Sequence, residues 1–220
     1  MNDSLASRSL TYARLAWNDW RDIFEHEGPV GESPLLADPS RYQLFLRKWS
    51  VSRTLRSGTH DKFRQTLRMS GQFLEALHDD SGRMLEELEQ ELRPRYGTRG
   101  GTKRIISVLS KVATFMRPER FVAWDTFARR GMNLVLGRRV YSQFSDYPFY
   151  MHTFDTIWSG DLGDEIRAYV AKNAMQPIEG EPRFLRRVLD LYHMESGRIR
   201  ADDKGKVPRF LKSHFTASSH

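Results

Sequence analysis

The sequence predicts an all-α fold, and three observations carry that expectation. Apolar residues recur at three- and four-residue spacing in one stretch after another, alternating Val/Ile/Thr runs are missing, and no Asn-Gly pair marks a tight hairpin. The chain has 220 residues, 39% hydrophobic and 29% charged, an ordinary globular balance with enough length for a sizeable core. The expected architecture is about nine helices in a single domain over residues 1–200, with the option of two lobes meeting near 93–125. Residues 201–220, rich in Lys, Gly, Pro and Ser with only Phe210, Leu211 and Phe215 as anchors, read as a loosely ordered tail or partner-docking arm.

Each helix has its own signal. Residues 4–25 set Leu5, Ala13, Leu15, Ala16, Trp20, Ile23 and Phe24 among polar neighbours, and Gly28-Pro29 ends the pattern. Residues 28–39 read as a Gly/Pro-rich loop. A second helix spans 40–55 through Tyr42, Leu44, Phe45, Leu46, Trp49 and Val51, closed by Ser57-Gly58. Thr59 reads as the N-cap of a third helix running to about His78, and Ser81 as the cap of a fourth over 84–92, stopped before Pro94. A fifth covers about 102–115, residues 118–124 form an extended connection, and Asp125 opens a sixth to Leu136. Three more are expected at 145–158, 161–173 and 183–196.

Composition removes several function classes. With no cysteine there is no disulfide, thiolate chemistry, Cys-based zinc site or iron–sulfur cluster. The histidines at 26, 60, 78, 152, 193, 214 and 220 show no metal-binding spacing, and neither a P-loop nor a dinucleotide-binding glycine motif occurs. No metal and no cofactor is implied. No apolar run approaches the ~20 residues of a membrane span, and the first residues lack a signal-peptide core. The expected setting is therefore the cytoplasm, at the nucleoid in a prokaryote, with no membrane partner.

Charge is distributed unevenly. The net charge is +7. Asp79, Asp80, Glu86, Glu87, Glu89 and Glu91 crowd one stretch, whereas residues 93–117 hold Arg93, Arg95, Arg99, Lys103, Arg104, Lys111 and Arg117 with no acid. Two solvated helices of opposite sign would explain this, and so would a basic patch that meets a polyanion, most commonly nucleic acid.

The segment 97–130 holds the candidate site. Gly97, Gly100 and Gly101 are able to take positive φ and let backbone approach an anion, and the following helix start aims its N–H groups into the same space. Arg99, Thr102, Lys103 and Arg104 line that turn, a fit for a phosphate held without base readout. A plain inter-helix turn remains the alternative. In the fifth helix Ile105, Val108, Leu109, Val112 and Met116 share a core-facing stripe, which leaves Arg104, Ser107 and Lys111 on a flank toward solvent or ligand. Asp125 is fully explained as the cap of its own helix, yet Pro118, Phe121 and Trp124 put an apolar collar around its carboxylate.

A Gly-rich turn opening a helix, followed by an apolar connection ending in an Asp before a new helix, resembles the helix-hairpin-helix DNA glycosylases, closest to the 8-oxoguanine DNA glycosylase-like branch. The resemblance covers the central segment only. It implies that Gly100 and Gly101, followed by Thr102 and Lys103, grip a DNA phosphate. It further implies that Lys111, in Ser-Lys-Val-Ala-Thr-Phe, is the residue that attacks the sugar, and that Asp125, in Val-Ala-Trp-Asp-Thr, is the carboxylate supporting reaction. Arg129 and Arg130 would add to DNA binding or lower the Lys111 pKa, and Trp124, Tyr147 and Tyr150, with Tyr141, Phe144 and Phe149 as further candidates, would hold a flipped base. The cluster 147–150 also reads as ordinary core.

Two functions follow from these residues. One is a DNA glycosylase-like enzyme excising a damaged or modified base, with Schiff-base lyase activity through Lys111 as an option, in which Lys111 and Asp125 line one cleft. The other is a non-catalytic helical module that binds nucleic acid, or a protein partner through its N-terminal helices or its tail.

Overall fold

The computed structural model describes residues 1–24, 32–98, 104–139 and 142–200; for 18–24 and 199–200 it describes backbone only. The expected tail, 201–220, lies outside these residues. Eleven α-helices occur among them: α1 (Asp3–Phe24), α2 (Pro34–Ala37), α3 (Pro39–Lys48), α4 (His60–Met69), α5 (Gly71–His78), α6 (Gly82–Tyr96), α7 (Ile106–Met116), α8 (Thr126–Val135), α9 (Tyr147–Trp158), α10 (Asp161–Asn173) and α11 (Pro182–Arg200). The protein is all-helical, and the β-structure among the described residues is one isolated antiparallel bridge between Leu55 and Gly97. No described helix is long and apolar enough to cross a membrane.

Two differences raise the helix number above the expected nine. Pro34 starts α2 inside the expected loop, where Leu35 and Leu36 are buried. The expected third helix breaks into α4 and α5 at Ser70, whose extended backbone frees its hydroxyl to accept from the Phe73 N–H at 3.1 Å. Thr59 holds the N-cap position of α4, as expected, with its carbonyl accepting from the Phe63 N–H at 2.9 Å but with no side-chain cap bond, whereas Ser70 caps α5 through its hydroxyl. Pro94 does not stop α6. It sits in the last turn, where its missing N–H removes one helix bond while the Gly97 N–H still reaches the Arg93 carbonyl at 2.8 Å.

Chain contacts divide the protein into two compact units, the first taking Met1–Asn18 and the described residues from Trp124 onward, the second Asp19–Ala123. In the second unit, Phe115 of α7 packs edge-on against Phe45 and Trp49 at 5.1 and 5.3 Å, and Phe63 meets Tyr96 at 5.1 Å. Helix α7 is buried almost all round, from Ile106 to Phe115. A charge enters this core at Arg64 too, whose guanidinium donates to the carbonyls of Leu36 and Ala37 and to Asp61.

The first unit is built around α11. Every residue from Phe184 to Arg198 is buried, the polar ones included. Phe184, Val188, Leu189 and Leu191 supply its apolar core contacts, and the charged residues Arg186, Arg187, Asp190, Glu195 and Arg198 are buried beside them. Helix α8 crosses it without side chains between the two backbones: a Cβ on Gly131 would stand 1.8 Å from the His193 carbonyl oxygen, and one on Gly197 2.0 Å from that of Phe127. Trp17 of α1 closes another side on Phe184 at 5.4 Å, and Arg14 clamps the buried Glu179 through two bonds of 2.7 and 2.9 Å.

His193 has an energetic consequence. Its ring is wholly buried against Phe154 and Tyr192, neither ring nitrogen has a hydrogen-bond partner, and burial pushes its pKa from 6.5 down to about 3. The unfolded chain takes up a proton near pH 6.5 and the folded chain does not, so this contribution to stability is complete above 6.5 and declines as pH falls toward 3. Comparing denaturant midpoints of wild type and His193→Leu across that window should show the wild type losing about 2–3 kcal/mol more by about pH 4.5. Parallel pH profiles would contradict it.

Candidate functional site

Helices α6 and α7 bracket the glycine-rich turn. Arg99, Gly100, Gly101, Thr102, Lys103 and, further on, Tyr141 lie outside the described residues. Gly97 does not take a left-handed conformation: its φ of −71° and ψ of 146° are extended, and it pairs with Leu55, flanked by bonds from Arg56 N–H to the Tyr96 carbonyl at 2.7 Å and from Thr98 N–H to the Thr54 carbonyl at 3.3 Å. The glycine takes part in an isolated antiparallel bridge, and its backbone does not need the positive φ that glycine uniquely allows.

At the start of α7 an anion is already present, and the chain supplies it. The Glu89 carboxylate, 1% exposed, accepts from the Ile105 N–H at 2.9 Å. Arg104 pairs with Glu86, with Glu89 at 3.8 Å behind it. Further along, Arg93 lies 4.0 Å from Glu89, and Arg117 and Arg120 reach Asp80 at 3.5 and 3.3 Å. Acidic and basic stretches thus meet each other inside the second unit, so Arg93, Arg104 and Arg117 each have an acidic neighbour within the chain. The helix dipole explains why a carboxylate settles at this N-terminus.

Lys111 is not on an outward flank. The side chain is buried at 6% exposure, and Nζ donates to the Trp49 carbonyl at 3.1 Å, just past the end of α3. With α7 buried almost all round, its one basic side chain goes inward, where it donates a hydrogen bond to a backbone carbonyl. Lys111 falls in the second unit and Asp125 in the first.

Asp125 ends the extended connection and caps α8, its Oδ1 accepting from the Phe127 N–H at 2.8 Å and the Ala128 N–H at 3.4 Å. The aromatic residues expected around it do assemble. Trp124 meets Tyr150 at 5.2 Å and Tyr147 at 6.1 Å, and Phe144 meets Tyr150 at 5.2 Å. They do so as packed core, with Tyr147 and Tyr150 fully buried and Trp124 8% exposed. Arg129 lies over the Trp124 ring at 4.5 Å and Arg130 near the Phe127 ring at 5.5 Å, each a cation–π contact within the first unit.

Three polar residues of α11 complete this region, and the sequence reading passed over them. Arg187 and Asp190, both buried, form an ion pair. Burial pushes the Arg187 guanidinium below its ordinary value, against the opposing pull of Asp190 and Asp125. Burial also pushes the Tyr150 phenol well up, with Asp190, Asp125 and Tyr147 adding to the shift and Arg129 opposing it. Half-buried Asp125 and Arg129 thus interact electrostatically with buried groups, Asp125 with Arg187 and Tyr150 and Arg129 with Tyr150. His193 lies one turn further along. The available signal was the three-residue spacing of Arg187, Asp190 and His193 among Phe184, Val188, Leu189 and Leu191 of the same helix.

A carboxylate fixed at a helix N-terminus, next in sequence to the packed Trp124 ring, is suited to stabilising a positive charge that develops on a substrate. Among the described residues no group of His, Asp and Glu is placed to hold a metal ion. No protein-family model, curated protein or solved structure gives a significant match to the chain.

Proposed function

We propose that this protein is a DNA-binding, glycosylase-like enzyme that excises a damaged or modified base, with Asp125 as the carboxylate that supports the reaction. The observation carrying the proposal is the setting of Asp125: the cap of α8 at the end of an apolar connection, next in sequence to the Trp124 ring packed on Tyr147 and Tyr150, and interacting electrostatically with buried Arg187 and Tyr150. On this reading α6 and α7 are the two helices of a helix-hairpin-helix, and residues 99–103 are its phosphate-gripping turn. The bond from the sugar C1′ to the base nitrogen breaks, its electron pair leaves with the base, and Asp125 stabilises the oxocarbenium-like sugar. Water adds to C1′, and the proton it loses goes to the departing base. A nucleophilic role for Lys111 would require its amine to leave the Trp49 carbonyl.

The test is incubation with duplexes bearing oxidised, deaminated or alkylated bases, followed by borohydride reduction. Release of one base class supports the enzyme, and a covalent adduct lost in Lys111→Gln assigns lysine chemistry. Release without an adduct assigns water as the acceptor. The second reading, a non-catalytic nucleic-acid-binding or protein-interaction module, is favoured by the two cap bonds of Asp125 and the burial of Lys111. It expects no release from any duplex, and, for a nucleic-acid partner, steeply salt-dependent binding that Asp125→Asn leaves unchanged.

A further inference from the structure

In the second unit Arg93, Arg104 and Arg117 each stand within 4.0 Å of a carboxylate of the same chain. Residues 41–74 add eight lysines and arginines against one acid, Asp61, and Arg64 holds that acid at 2.8 Å. Arg53, Arg56 and Arg95 are different: all three are exposed, and no ion pair reaches them among the described residues. The bridge between Leu55 and Gly97 brings them to one place. The Arg56 N–H donates to the Tyr96 carbonyl at 2.7 Å and the Thr98 N–H to the Thr54 carbonyl at 3.3 Å, so residues 53–56 run beside 95–98 in the opposite direction. The Arg56 guanidinium donates to the Pro94 carbonyl at 3.3 Å, and that of Arg95 stands 5.6 Å from the centre of the Tyr96 ring.

We infer that Arg53, Arg56 and Arg95 form a phosphate-binding surface for the backbone of a nucleic-acid duplex, engaged without regard to base sequence. The negative end of α6 attracts a cation and accounts for one of them, but three together repel one another until an anion of several charges neutralises them. All three are arginines, whose planar forks match phosphate oxygens two at a time. Their chain neighbours Ser52, Thr54, Ser57 and Gly58 are small or hydroxylated, which lets a phosphate come close and offers it further donors. A membrane surface would call for exposed apolar side chains beside the cations, and these neighbours supply none. The inference rests on the proposed function for its ligand, a nucleic acid, and not for base release.

The experiment measures fluorescence anisotropy of a labelled, undamaged duplex with the full chain, from about 50 to about 200 mM salt. Arg53→Gln/Arg56→Gln/Arg95→Gln should bind at least about tenfold more weakly at the lowest salt. Its plot of log affinity against log salt should be shallower by about two to three, since each phosphate contact contributes about 0.9 to the slope. Arg83→Gln/Arg120→Gln/Lys172→Gln removes the same charge from other exposed positions and should keep the wild-type slope. Equal losses in the two variants, an unchanged slope in the first, or a wild type that binds no duplex overturns the inference. So does loss of binding to phosphatidylserine vesicles in the first variant with its duplex affinity intact, which would make the surface a membrane site. Should that variant not fold, Arg53→Gln/Arg95→Gln keeps the Arg56 bond to Pro94 and carries the test, with a slope change of about two expected and none the contrary result. Base release separates this inference from the reading beneath it. A wild type that releases no base, yet whose duplex binding depends on the three arginines, removes the enzyme and leaves the surface. An active wild type whose salt slope the first variant shares removes the surface and leaves the enzyme.

Discussion

Gly131→Ala should cost about 3 kcal/mol or more of stability, a large part of what an ordinary domain has. The added Cβ would stand 1.8 Å from the His193 carbonyl oxygen and 2.6 Å from its carbonyl carbon, both backbone atoms of a helix buried along its length. No rotamer change relieves such an overlap; α8 and α11 have to separate, and a core at crystal-like packing density does not yield without leaving voids. Gly197→Ala meets the Phe127 carbonyl oxygen at 2.0 Å and should behave alike. Gly71 supplies the control, since nothing lies within 4 Å of its added Cβ and its φ is not positive. Gly71→Ala should be neutral or gain up to about 1 kcal/mol through helix propensity. Thermal unfolding of the three variants checks this, and equal losses in all of them would contradict it.

Helical periodicity made most of the fold legible, because α1, α8, α9, α10 and α11 each carry an apolar pattern long enough to stand out. The α2 turn and the break at Ser70 were not legible, since a four-residue helix has no period to read and the Ser70 cap interrupts a pattern that continues on both sides. Asp125 as a cap and 147–150 as core were both visible in local wording. What local wording could not reveal is pairing across the chain. Glu89 lies sixteen residues before the Ile105 N–H it accepts from, and the Trp49 carbonyl sixty-two before Lys111. Arg104 and Lys111 therefore looked available to a ligand when read alone, and only tertiary structure supplies their partners. The ions of α11 were not legible for a related reason: charges on a helix are ordinarily assigned to a solvent face, and from Phe184 to Arg198 every side of α11 is buried.

The second large effect concerns Asp125, where two roles are separable by one atom. Asn caps a helix about as well as Asp, because its amide oxygen accepts the same backbone bonds, so Asp125→Asn should change stability by less than about 1 kcal/mol. It removes the negative charge, however, and with it the stabilisation of a cationic sugar, so base release should fall by about a hundredfold or more. Asp125→Ala loses cap and charge together and should show both defects, with a stability loss of about 1 kcal/mol. The decisive measurement is single-turnover base release by wild type and Asp125→Asn on whichever lesion duplex the wild type cleaves, with DNA affinity and thermal unfolding recorded for both. The account predicts unchanged folding, unchanged affinity and a rate lower by about two orders of magnitude or more in the variant. Equal rates in the two proteins would make Asp125 a helix cap and nothing else.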